Sequence, residues 1–125
     1  MPVTYTTAVK NARLNAVTTA IGSTGVLEIG TTGMATVLAT FQLTNPAAPA
    51  AASGVLTLDF DPDISDNSAD NTGTAAAARI RTASGGTDIV TGLTVGTSAT
   101  DVILDSLSIT AGQTVTITSA TITHS

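Results

Sequence analysis

TAAAARIRTASGGTDIVTGL, residues 74 to 93, decides the fold class. Four consecutive alanines favour a helix in isolation. Gly73 precedes them, however, and Ala76, Ala78 and Ile80 alternate with Ala77, Arg79 and Arg81, which is the period of a strand. SGGT then supplies a turn, and a second β-branched run follows from Asp88. The stretch therefore reads as a hairpin with Arg79 and Arg81 on one face. Each is placed to pair with Asp88 or another aspartate across the strands, in preference to an ion pair between subunits.

Reading outward, the period of two persists. Downstream, strands are expected near 88 to 95, 101 to 105, 107 to 110 and 114 to 123. In the last of these Val115 and Ile117 keep one phase and Ala120 and Ile122 the other, so a bulge is placed near Ser119. Upstream, Val26 to Ile29 is short, and Val37, Ala39, Phe41 and Leu43 alternate with Thr36, Leu38, Thr40 and Gln42. Residues 45 to 54 form a Pro-interrupted loop before a strand from Val55 to Phe60, with Leu56, Leu58 and Phe60 inward. Short strands at this spacing predict an antiparallel β-sandwich or jelly-roll-like barrel of roughly seven or eight strands. IGSTG at 21 to 25 and IGTTG at 29 to 33 are turns.

One helix precedes the strands. Val9, Ala12, Ala16, Val17, Ala20 and Ile21 recur at helical spacing over about 7–21, with Thr6 or Thr7 as the cap and Gly22 as the left-handed stop. Val9, Ala16, Val17 and Ala20 are expected to pack on a sheet or on a neighbouring subunit. Arg13 is expected to lay its stem along the sheet and reach water with its head.

Composition fits a single domain spanning 1–125. Of 125 residues, 42% are hydrophobic and 10% charged, too apolar and too weakly charged for disorder. The chain has no Cys or Trp, one Tyr and two Phe, so its core must be aliphatic and thin. A net charge of −5 with only Lys10, Arg13, Arg79 and Arg81 as basic residues argues against nucleic-acid and anionic-membrane partners. MPVTYTTAVKNARLNA carries no apolar core of a secretory signal, and no run of apolar residues is long enough to span a bilayer. Synthesis in the cytoplasm is the expectation. Thr supplies about a fifth of the chain, a neutral hydroxyl-rich surface that suits an outer structural protein.

Most of the acid lies in LDFDPDISDNSADNTG, residues 58 to 73. Asp59, Asp61, Asp63, Ser65, Asn67 and Asp70 match the ligand spacing of a helix-loop-helix calcium site. Pro62 stiffens the loop, Ile64 replaces the turn glycine, Asp70 replaces the longer Glu, and a strand precedes it. Asp59, Asp61, Asp63 and Asp70 are thus weak calcium candidates, and a solvated loop is the preferred reading. As catalytic carboxylates they lack a burying pocket and aromatic sugar platforms. His124 stands alone, one residue from the end of the sequence, and no Gly-rich turn is followed by the Lys of a phosphate loop. No catalytic residues, cofactor or resident metal are expected.

GTAAAARIRTASGGTDIVTGLTVGTSATDVILDSLSITAGQTVTITSATI, residues 73 to 122, resembles a group of small β-rich virion proteins of tailed bacteriophages, similar to head decoration proteins. GVLT at 54 to 57 is an earlier match. The likeness rests on glycine turns and β-branched strand residues, does not include the acidic stretch, and carries over no site residues. It implies a structural, non-enzymatic role: a capsid decoration, or cement, protein on the capsid surface. Its partners would be the major capsid protein and itself, as a homo-oligomer with a trimer favoured over a dimer. A tail or neck component, or a receptor- or carbohydrate-binding module, is the alternative.

A solvated loop has no preformed cage, so calcium is expected to change stability little. Thermal midpoints in millimolar calcium and in chelator should agree within about 10 °C; a larger rise would establish a calcium site.

Overall fold

The hairpin forms as the alternation predicts. In the computed structural model, which describes residues 4–45, 47–60, 65–66, 68–83 and 85–123, its strands span Ala77–Arg81 and Asp88–Leu93. Thr82 and Gly86 donate backbone hydrogen bonds to Thr87 and Ala83, closing the turn, and Gly85 takes φ +76°. In chain order the strands are β1 (Val26–Gly30), β2 (Val37–Gln42), β3 (Val55–Thr57), β4 (Ser65–Asp66), β5 (Gly73–Thr74), β6 (Ala77–Arg81), β7 (Asp88–Leu93), β8 (Val95–Gly96), β9 (Val102–Leu104), β10 (Ser108–Ile109) and β11 (Val115–Thr123). The fold is mainly β and sandwich-like, with one N-terminal α-helix.

The first sheet runs β2-β1-β6-β7, antiparallel throughout. The second runs β3-β11-β9-β8, with β4 also on β11, and β5 and β10 form a separate two-stranded ladder. Leu27, Ile29, Phe41, Ala78 and Ile80 from the first sheet share one core with Leu56, Val102, Leu104, Ile117 and Ala120 from the second. Burial of these apolar side chains, each contributing about 1.5–3 kcal/mol when large, is what holds the layers together. Phe60 packs its ring edge-to-face on Phe41 at 6.0 Å.

The bulge expected near Ser119 lies between Ile117 and Ser119, where register against β9 slips by one residue. Val115 and Ile117 point inward before it, and Ala120 after it. One pairing departs from the antiparallel expectation: β8 lies parallel to β9. Thr94 N and Oγ1 both donate to Asp101 Oδ2 at 3.0 Å, and Asp101 N donates back to Thr94 Oγ1 at 2.9 Å. This clasp closes residues 95–100 into a loop and returns the chain beside its own start, so the two short strands run the same way.

Helix α1 spans Thr7–Ile21, with the Thr6 hydroxyl accepting from Val9 N and Gly22 at φ +80°. Its buried face differs from the one the spacing predicts. Leu14 and Ile21 are buried and Val17 packs beside them, while Val9, Ala12, Ala16 and Ala20 are exposed. The reason is area. One Leu and one Ile remove more apolar surface from water than three alanines, so the helix rolls to bury them. Arg13 likewise turns outward, stacking its guanidinium 4.5 Å from the Tyr5 ring centroid instead of lying on a sheet. Asn11 and Asn15 fix the roll, since their Oδ1 atoms accept from Gly54 N at 2.9 Å and Ala51 N at 2.8 Å.

The last helical residue, Ile21, packs on Gly25, the residue before β1, where a Cβ would overlap the Ile21 Cγ2 methyl. Gly25→Ala is expected to destabilise the protein by about 1–3 kcal/mol through overpacking, read as a lower denaturation midpoint at unchanged slope.

Candidate functional site

The acidic stretch joins the two sheets, since Ser65 and Asp66 pair with β11 of the second while side chains and backbone reach β2 of the first. Asp66 Oδ2 accepts from Thr40 N at 3.0 Å, and its Oδ1 accepts from Ser68 N at 3.0 Å. Asn71 Nδ2 donates to Val37 O at 2.7 Å, Asp70 N to Leu38 O at 2.8 Å, and Thr44 N to Asp59 O at 3.1 Å. These bonds engage the free edge of β2, whose backbone groups would otherwise offer themselves to another strand. Asp66 therefore caps an edge, while Ser68, Asp70, Asn71 and Thr72 stay exposed, as a solvated loop requires. Of the calcium candidates, Asp59 and Asp70 are exposed and engage the sheet only through their backbones. Asp61 and Asp63 lie outside the described residues, as do Pro62, Ile64, Asn67 and His124. Among the described residues no three carboxylate or imidazole groups converge on one point, and no helix is long and apolar enough to cross a membrane.

A second cluster gathers on the outer face of the same sheet. Alternation along β6 puts Arg79 and Arg81 on that face, as the sequence predicts, and cross-strand pairing sets Glu28 of β1 opposite Arg79. Arg79 Nε donates to Glu28 Oε1 at 2.7 Å, and Arg81 Nη1 lies 3.7 Å from the same oxygen. Arg81 Nη2 donates to Gly86 O at 2.6 Å. Its Nε is 2.9 Å from Asp88 Oδ1, an ion-pair distance at which the N–H is not aligned for a hydrogen bond. The local pairing of Arg81 with Asp88 is thus present, while Arg79 finds Glu28 instead of an aspartate.

Glu28 is the residue that sequence reasoning passed over. It is the chain's only glutamate, and its side chain is 6% exposed against 20% and 21% for the two arginines. The signal was present in VLEIG: a lone carboxylate inside a short apolar strand needs a cationic partner if both faces are covered. Beside this cluster lies a depression of about 350 Å³, lined by Arg79, Asp88, Thr91, Gly92, Ala77 and the turn at Gly33 and Met34. It holds a donor and an acceptor within a partly apolar wall.

Comparison of the chain with protein-family models, with curated proteins and with solved structures finds no match. The site is therefore read from its own chemistry. Two cations and two carboxylates in contact make a neutral, oriented cluster suited to binding and positioning.

Glu28→Ala is expected to cost about 3 kcal/mol, because it takes the carboxylate from the largely buried Arg79 guanidinium, while Arg81 keeps Asp88 and the Gly86 carbonyl. Glu28→Gln, which keeps the shape and one acceptor oxygen, should cost less, and urea denaturation of the two variants checks the order.

Proposed function

We propose that this chain is a structural virion protein of a tailed bacteriophage, a capsid decoration protein that binds the major capsid protein and stabilises the head lattice. The reading rests on the resemblance of the glycine turns and β-branched runs of residues 73 to 122 to small phage virion proteins. That segment supplies β5 to β10 and nearly all of β11, and hence strands of both sheets. Two structural features support it. The shared core is aliphatic and thin, so burial against a neighbour adds stability that a lone domain of this size lacks. The outward helix face leaves Tyr5 and Val9 exposed at 37% and 42%, with Ala12, Ala16 and Ala20 alongside. Short side chains there lose little entropy on contact.

The protein acts by assembly, as a homo-oligomer placed on the capsid surface. A trimer suits the threefold positions of an icosahedral lattice, with a dimer as the alternative. A tail or neck component, or a receptor- or carbohydrate-binding module, shares the sandwich architecture and is the second reading.

Mixing the purified protein with undecorated capsids and sedimenting them tests the proposal. Co-sedimentation at micromolar concentration is expected. Protein that stays in the supernatant yet binds tails or cell-surface glycans would overturn decoration in favour of adhesion. Light scattering of the free protein reads the subunit count.

A further inference from the structure

The two edges of the first sheet are treated differently. At β2, Asp66, Asn71 and the backbone of Asp59 and Asp70 take up the outward hydrogen-bonding groups. At β7 the ladder to β6 occupies one side only. Among the described residues no bond outside that ladder reaches the backbone of Ile89, Val90, Thr91, Gly92 or Leu93. β7 pairs with β6 at Asp88, Val90 and Leu93 with a register shift on either side of Ile80, Gly92 takes φ +76°, and α1 lies against part of the strand, so the groups that β7 turns away from β6 form an interrupted row. Thr91 and Gly92 at its middle are exposed.

The depression adjoins that edge, and its chemistry is specific. Glu28 grips Arg79 through Nε and fixes the guanidinium plane, while the Nη groups of Arg79 have no hydrogen-bond partner among the described residues. Asp88, 42% exposed, offers carboxylate oxygen on the same wall. Glu28 and Asp88 already balance Arg79 and Arg81, so a charged guest would bring an uncompensated charge. A neutral group that both accepts and donates fits, and a primary carboxamide has that pattern. The rim is also held in an uncommon conformation. Gly33, Met34 and Gly92 have φ of +68°, +59° and +76°, and Met34 adopts it without the freedom of glycine.

We propose that the β7 edge and this depression form a docking site for an extended segment of a partner protein, which adds to the sheet as a fifth strand and seats an Asn or Gln side chain between Arg79 and Asp88. Main-chain bonds along β7 supply the affinity, and the depression selects the side chain. The site does not depend on which assembly the partner belongs to.

The test titrates the isotopically labelled full chain with a heptapeptide, acetyl-Thr-Val-Thr-Gln-Thr-Val-Thr-amide, and with its central-Leu and central-Lys analogues, each to about 5 mM, by amide NMR. Shifts confined to residues 88–93 and the Arg79 side chain are expected, with the Gln peptide binding at least about fivefold tighter than either analogue. Thr91→Lys, at an exposed position, should abolish the shifts and leave the rest of the spectrum in place, whereas Val9→Lys on the helix should have no effect. Silence at β7 for all three peptides overturns the docking site. Equal binding of the three, or tightest binding of the Lys peptide, overturns the carboxamide assignment.

Discussion

The pairing of β1 with β6 is the contact on which the rest of the molecule depends. It joins the N-terminal third of the chain to the hairpin, and its register sets Leu27 opposite Ile80 and Glu28 opposite Arg79. Because side chains alternate between faces, a slip of one residue would drive Glu28 into the aliphatic core and expose Leu27 and Ile29. Hydrophobic burial on one face and ion pairing on the other therefore enforce the same alignment. Each alone would tolerate alternatives that the other forbids.

Scarce as charge is, several of the charged side chains among the described residues have a structural task. Asp66 covers an edge, Asp101 closes a loop, Asp88 steadies Arg81, and Glu28 orients both arginines of the hairpin. The remaining surface is left to Thr, whose hydroxyls satisfy nearby backbone groups, as Thr82 does for Thr87 N and Thr72 for Ala111 N. Such a surface is neutral without being greasy. It exposes few long side chains that would have to be immobilised on contact, which is the physical sense in which it suits assembly.

Much of the architecture was legible in the sequence, for a reason that differs by element. The hairpin, the bulge in β11 and the ends of α1 follow from local rules: period, turn residues and caps act over a few residues and are written side by side. Val17 and Ile21 of the expected helix stripe do turn inward, but Leu14 was passed over because a spacing rule counts apolar residues equally, whereas burial weights them by area. The solvated character of the acidic stretch was legible too, since Asp59, Ser68, Asp70, Asn71 and Thr72 are exposed. What local rules could not supply is the contacts of Asp66 and Asn71, whose partners are backbone groups of β2, some thirty residues away in sequence.

The sequence by itself determined a Thr-rich, aliphatic-cored β domain with one capped helix, and a hairpin that sets Arg79 and Arg81 on one face within reach of Asp88 or another aspartate. Only the tertiary structure decided that Glu28 would meet Arg79, which edge of the first sheet would be closed and which left open, and which face of the helix would turn inward. Those outcomes depend on strand order, and strand order is settled by contacts between segments far apart in the chain, where burial of a common core outweighs any local preference.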